Sequence, residues 1–367
     1  MNSQKPGSGA PPIPRRERLD PGIFEFPEAD IRAGRYSDKY FVRSAEIVGT
    51  RDPPSVVAMQ VFQRREAVLA GTDEVIGLLK RCLREPYGFD DLEVRSLRDG
   101  AAVSPWESVM AVTGPYAAFA HLETLYLGLL TRRTRIATNT RAVVEAAWPK
   151  PVIFFPARFD LWSVQEGDGW AARLAGAEGV STDAQGAWWA GEGSGTVPHA
   201  LIACFGGDTV AAARAMADHL PDDVPVVATV DFDNDSVSTA LEVAEALGSR
   251  LWGVRLDTSS TMIDASVVGH MGSFDPRGVN AQLVRNVRGA LDGAGLDRIR
   301  IVASGGFTRD KVARFEADRV PVDAYGVGSS LLAGSFDFTA DVVMVDGRNV
   351  AKAGRTRRDN SRMELVT

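Results

Sequence analysis

From Tyr36 onward the apolar positions of the chain follow two rhythms. Short apolar runs bounded by glycine, proline or charge alternate with longer stretches whose apolar residues recur every three or four positions, which predicts strands alternating with amphipathic helices. In the first third, Ser37 or Asp38 can cap a helix that continues its apolar face through Ala45–Val48. A strand is predicted at Val56–Phe62 and a helix at Asp73–Leu83, with further strands near Leu92–Leu97 and Val109–Val112. Tyr116–Leu130 is apolar all round at helical spacing and predicts one buried helix, in which His121 and Glu123 read as satisfied core or interface groups and not as catalysts.

The second half alternates more strictly. Strands are predicted at Val152–Phe155, Val226–Val230, Leu251–Leu256, Ile299–Ala303 and Ala324–Val327. The predicted helices are Thr209–Leu220, Val237–Leu247, Val279–Leu291 and Asp310–Glu316. This is the pattern of a parallel sheet, and short strands with long helices favour a barrel or partial barrel over an open nucleotide-binding sheet. No Rossmann fingerprint is present, because the glycine-rich Gly191–Gly195 does not follow a strand. Beyond Phe336 a β-hairpin turns at Asp346-Gly347. The fold class is therefore α/β, an amino-terminal α+β domain (21–135) followed by an α/β barrel (136–335), with the carboxyl-terminal 336–367 packing back on the first domain. Residues 1–20, rich in Pro, Gly, Ser and Arg, read as a mobile tail.

Composition narrows the partners. A formal net charge of −7 over 367 residues argues against a protein that coats nucleic acid or an anionic membrane, so a small-molecule partner is expected. Two distant cysteines, Cys82 and Cys204, supply neither a disulfide framework nor a zinc knuckle, and no apolar run is long enough to cross a bilayer. A cytoplasmic protein is expected.

The candidate chemistry lies where the predicted strands end, the face on which β/α barrels keep their sites. Two strands exit into small-residue turns, Ser304-Gly305-Gly306 and Gly326-Val327-Gly328-Ser329, a repetition that suits a phosphate held by backbone N–H groups. Phe155 and Arg158 leave the first strand, Asp231, Asp233 and Asp235 the second, and Arg255 and Asp257 complete the third. Asp235 reads as a helix cap. Carboxylates converging on a phosphate site would repel it unless they face magnesium or a positive centre that develops during reaction, which indicates chemistry at a sugar carbon bearing a phosphorylated leaving group. His199 follows the loop Ser194–Pro198 into the first turn of a helix, where the helix dipole favours an attached anion. Among the four arginines of Thr131–Arg141, Arg141 is the candidate phosphate contact.

Seven motifs in this order resemble nicotinate phosphoribosyltransferases of the type II phosphoribosyltransferase fold. They are Asp38-Lys39-Tyr40-Phe41, Glu123-Thr124-Leu125 with Ile136-Ala137-Thr138, Phe155-Pro156-Ala157-Arg158, Gly195–Ile202, Gly253–Ser259, Ser304–Phe307 and Tyr325–Ser330. The resemblance spans the chain from about residue 36 to its end. It implies an incomplete barrel, a homodimer or larger assembly with shared active sites, and the reaction of nicotinate with phosphoribosyl pyrophosphate and Mg2+, with ATP as co-substrate. It implies that Tyr40 lids a neighbour's site, that Phe155 and Arg158 hold the base, and that His199 takes a phosphate from ATP. Arg255 and Asp257 would face the ribosyl and pyrophosphate groups, Thr196 and Asp233 are further candidate substrate contacts, and Asp231 is a carboxylate able to stabilise the ribosyl centre as pyrophosphate departs. Ser304, Gly305, Gly306, Gly326, Gly328 and Ser329 would hold the 5′-phosphate. Two departures bear on the base: Phe159 stands where many relatives carry a second Arg, and Asp231-Phe232-Asp233 replaces Asp-Thr-Tyr or Asp-Thr-Phe. The alternatives are a quinolinate or nicotinamide phosphoribosyltransferase, or a phosphate-binding barrel without turnover.

Overall fold

The computed structural model describes residues 9–367. The chain forms two compact units: Pro12–Thr138 with Trp170–Ala175 and Ala333–Thr367, and Asn139–Gly169 with Gly176–Leu332.

The first unit is built on an antiparallel sheet whose central strands, Val56–Phe62 and Ser108–Pro115, carry the β-branched Val56, Val57, Val61, Val109, Val112 and Thr113. Its order is Arg348–Asn349, Thr339–Val345, Val56–Phe62, Ser108–Pro115, Glu93–Ser96, Glu364–Leu365, so chain from after residue 332 supplies both edges. Asp346 and Gly347 both adopt positive φ (48° and 75°), the backbone that a two-residue hairpin needs. Helix Thr72–Cys82 covers the core with Val75, Ile76, Leu78 and Leu79 buried.

The apolar stretch Tyr116–Leu130 is not one helix. It breaks into Tyr116–Phe119, a 3₁₀ turn at Ala120–Leu122, and a helix that begins at Glu123 and runs to Ala147, well past the predicted end. Phe119 leaves the helical region at φ −131°, ψ −2°, and its neighbours Ala118 and Ala120 carry no polar punctuation to announce it, the polar His121 and Glu123 coming only after the break. His121 is buried with Nε2 against the Cys82 carbonyl. Burial first, then Asp341 and Asp38, push the Glu123 carboxyl up to about 8, so it is held mainly as the neutral acid at pH 7. Asp38 stands at the start of helix Lys39–Gly49, but its carboxylate accepts from the Thr124 hydroxyl and makes no capping bond. Of the stretch read as a mobile tail, residues 1–8 lie outside the described residues. Within the rest, Arg18 pairs with Asp73 at 2.7 Å and Arg16 lies over the Trp170 ring.

The second unit is a six-stranded, all-parallel sheet. Its strands are β1 Val152–Phe154, β2 Gly179–Val180, β3 Val226–Thr229, β4 Leu251–Leu256, β5 Arg300–Ala303 and β6 Ala324–Val327, in the order β2-β1-β6-β5-β4-β3. The five predicted strands agree with β1 and β3–β6 to within a residue or two at their ends; β2 is too short to leave a pattern. Between the outer strands β2 and β3 the sheet is joined by the segment 193–197, through single bridges Val180↔Gly193 and Val197↔Ala228. The glycines here serve packing, since a Cβ on Gly193 would lie 2.8 Å from the Thr182 backbone. Helices α1 His199–Cys204, α2 Thr209–His219, α3 Ser236–Leu247, α4 Ala281–Gly293 and α5 Arg309–Ala317 fill the crossovers. Polar side chains accept from the first turns of α2–α5: Asp208, Asp235, Asn280 and Thr308. Among the described residues no helix is long and apolar enough to cross a membrane.

Candidate active site

A parallel sheet delivers every strand's carboxyl end to one face, and there a cavity of about 150 Å³ opens between the exits of β1, β4, β5 and β6. Its walls combine the aromatic and basic side chains after β1 (Phe155, Arg158, Phe159), the Arg255–Asp257 pair of β4, and the two small-residue turns.

Arg255 organises the site. Its Nε donates to Ser304 Oγ at 2.8 Å, one terminal nitrogen donates to Thr196 Oγ1 at 3.0 Å, and the other pairs with Asp257 Oδ2 at 2.9 Å. The guanidinium carbon lies 5.3 Å from the centre of the Phe155 ring. Ser304 Oγ in turn donates to Asp257 Oδ1 at 2.7 Å. One cation thus ties together β4, the exit of β5 and the joining segment, and fixes the carboxylate that faces the cavity.

The two glycine turns are small for different reasons. Gly305 and Gly306 both adopt positive φ (79° and 70°), and a Cβ on Gly305 would meet the Asp257 carbonyl oxygen at 3.2 Å. Gly326 and Gly328 have ordinary backbone. A Cβ on Gly326 would lie 2.4 Å from the Phe155 ring, and one on Gly328 would lie 2.9 Å from the Phe159 ring. The second turn therefore gives room to two aromatic rings that line the cavity. Phe155 is also held through its backbone N–H, which donates to the Val327 carbonyl at 2.8 Å.

At the exit of β3, Asp231 is 4% exposed and accepts from His199 Nε2 at 3.1 Å, the imidazole being 45% exposed. Burial pushes the Asp231 carboxyl upward and the nearby Asp257 adds to this, while His199 opposes both. Asp235 caps α3 through the Ser238 N–H, as the sequence predicts.

Phe155, Arg158, Arg255, Asp257, Ser304, Gly305, Gly306, Gly326, Gly328 and Ser329 line the cavity together. Thr196 joins it through Arg255, and Asp231 through its influence from Asp257. Asp233 is exposed beside this group. Arg141 is not among the lining residues: its guanidinium pairs with Glu145 at 2.7 Å and donates to the Pro11 carbonyl. Tyr40 belongs to the other unit, where it is 60% exposed on helix Lys39–Gly49. Phe307 lines the cavity without having been chosen as a site residue, and Phe159, marked in the sequence as a departure that bears on the base, lines it too. The signal for Phe159 was its position one residue after Arg158; a lone Phe after a glycine turn gives none.

A metal would find no protein cage here, since no group of three or more His, Cys, Asp or Glu among the described residues is arranged to hold one.

Comparison with known proteins agrees with this architecture. The family model for the amino-terminal domain of quinolinate phosphoribosyl transferase matches residues 38–134. A nicotinate phosphoribosyltransferase of Mycobacterium tuberculosis is 29% identical over 380 residues, covering 94% of this chain and 78% of that protein. The crystal structure of a nicotinate-nucleotide pyrophosphorylase from Pyrococcus furiosus superimposes with a TM-score of 0.79 at 31% identity, over 94% of this chain and 85% of that one. Human nicotinic acid phosphoribosyltransferase shares the fold at a TM-score of 0.62 and 18% identity, over 88% of this chain and 77% of that one. With an antiparallel α+β unit, an incomplete parallel barrel and paired turns at its carboxyl face, the chain belongs to the type II phosphoribosyltransferase family.

Proposed function

We propose that the protein transfers the phosphoribosyl group of phosphoribosyl pyrophosphate to nicotinate, forming nicotinate mononucleotide and pyrophosphate. The observation that carries this reading is the junction, in one cavity, of an aromatic and arginine wall with a positive-φ glycine turn and the Asp257 carboxylate, with the buried Asp231 close to Asp257. Phe155 and Phe159 offer ring faces for a flat base, and Arg158 a fork for one carboxylate. The N–H groups of Gly305 and Gly306 suit the 5′-phosphate. As the bond to pyrophosphate breaks, positive charge develops at the sugar carbon, and the Asp231 and Asp257 carboxylates stabilise it. The ring nitrogen of the base then forms the new bond. Magnesium belongs to this scheme as part of the pyrophosphate-bearing substrate, where the diphosphate supplies most of its oxygens.

His199 is proposed to accept a phosphoryl group from ATP. Asp231 engages Nε2, which leaves Nδ1 with the lone pair for attack and supports the charged imidazole that results. A homodimer in which Tyr40 covers the base site of a neighbour completes the proposal, consistent with the exposure of that ring.

Quinolinate is the second reading, favoured by the family model matched at residues 38–134. Its extra carboxylate asks for another free cation at the base. Of the two arginines lining the cavity, Arg255 is already committed to Asp257, Ser304 and Thr196. The purified protein is incubated with phosphoribosyl pyrophosphate, magnesium and each pyridine in turn, with and without ATP, and nucleotide product is followed. Nicotinate is expected to be the preferred base; equal or better turnover of quinolinate overturns this choice. His199→Ala should lose stimulation by ATP while keeping basal transfer, and full stimulation in that variant removes His199 from the scheme.

A further inference from the structure

Lys311 stands out among the charged groups of the second unit. It lies in the first turn of α5, directly after the Ser304–Gly306 turn, and its side chain folds back toward that turn. Nζ is 3.4 Å from the Gly305 carbonyl oxygen and 4.2 Å from the centre of the Phe307 ring, with Phe315 at 5.9 Å. Both Gly305 and Phe307 line the cavity. The acids of α5, and the one beside the glycine turn, are already paired: Asp310 with Arg309, Glu316 with Lys150, and Asp257 with Arg255 and Ser304. The other charge acting on it is Arg314, one turn further along α5 and of the same sign.

We propose that Lys311 is the counter-charge of the phosphate subsite, a cation kept without a carboxylate partner so that the sugar phosphate on the Ser304–Gly306 turn becomes its partner. This rests on the phosphate-binding part of the function proposed above. The chemistry follows from its surroundings. An ammonium held by one long carbonyl contact and two aromatic faces is under-solvated, and burial, with Arg314 adding, lowers its pKa to about 8. A phosphate dianion arriving beside it favours the charged form and raises that pKa again. At pH 8, where about half of the lysines are neutral before binding, the complex therefore takes up about half a proton per site. A phosphate monoester has its own second ionisation near pH 6, so it contributes little to this uptake. Affinity for the ligand should fall ~2-fold between pH 7 and 8 and ~5-fold between pH 8 and 9.

Calorimetry of the full-length protein with ribose 5-phosphate, at pH 8.0 in two buffers of different ionisation heat, measures the uptake directly. Wild type should take up about half a proton. Lys311→Met should take up none and bind ~10-fold or more weakly at pH 7. Lys311→Arg, which stays charged at every pH used, should bind within ~3-fold of wild type and also take up none. Unchanged affinity and unchanged uptake in Lys311→Met overturn the proposal, as does a wild type that does not bind ribose 5-phosphate. Because the readout is binding, the two readings separate. Intact uptake in a protein that turns over no pyridine base removes the proposed activity and upholds Lys311, whereas normal nicotinate turnover with wild-type uptake in Lys311→Met does the reverse.

Discussion

The two glycine turns at the mouth of the barrel look alike in sequence and differ in physics. At Gly305-Gly306 the backbone itself is unusual, with both residues in the left-handed region that L side chains avoid. At Gly326 and Gly328 the backbone is ordinary and the constraint comes from outside, from the rings of Phe155 and Phe159 occupying the space a Cβ would need. The first turn is specified by its own conformation and the second by its neighbours. A strand followed by glycines therefore reports closeness of approach, and only the structure tells whether a ligand or another part of the chain does the approaching.

This contrast can be broken by substitution. The largest effect is expected for Gly326→Ala. A methyl group 2.4 Å from the Phe155 ring forces the ring from the cavity, at a cost of about 1–3 kcal/mol in stability. The KM for the base should rise by ~10-fold or more, with a smaller change for phosphoribosyl pyrophosphate. Stability should recover in Gly326→Ala/Phe155→Ala, measured by thermal melting; independent, additive costs would refute the steric account. Next comes Gly305→Ala, which meets both the positive φ and the Asp257 carbonyl at 3.2 Å. Here steady-state kinetics should show the reverse split, with KM for phosphoribosyl pyrophosphate raised by several-fold to ~10-fold and that for the base nearly unchanged. Gly306→Ala has no neighbour within 4 Å, so only the backbone term remains, about 1 kcal/mol, visible as a melting temperature lower by a few degrees. Equal losses at Gly305 and Gly306 would show that the Asp257 contact is immaterial.

Much of the barrel was legible because its strands are short, apolar and closed by glycine, proline or acid, and its helices carry their caps in sequence. Asp235 and Thr308 are examples of such local information. The carboxyl-end face followed from the alternation, and with it the grouping of Arg158, Arg255, Asp257 and Ser304. What could not be read was decided by distant partners. Arg141 sits in an arginine run whose members look equivalent, and only the fold brings it to Glu145 and the Pro11 carbonyl. The break at Phe119 lies between Ala118 and Ala120, neither of which is polar or breaks a helix. Lys311 resembles any exposed lysine of a charged helix until the turn preceding it is seen to curl back under its side chain. Phe159 looked like a missing arginine in sequence; in space it is the ring for which Gly328 leaves room.

The segment 193–197, fastened to each outer strand by a single bridge, has a different consequence. A strand with a full ladder cannot gain or lose one residue without turning its whole side-chain set over to the opposite face. A stretch whose backbone pairs with the strands only near its two ends, at Gly193-Ser194 and at Val197, has no ladder to shift, so loop length near Gly195 can change while the neighbouring strands keep their inward and outward positions. The circumference of this cylinder is thus adjustable at one place, beside Thr196 and His199, without rebuilding the rest.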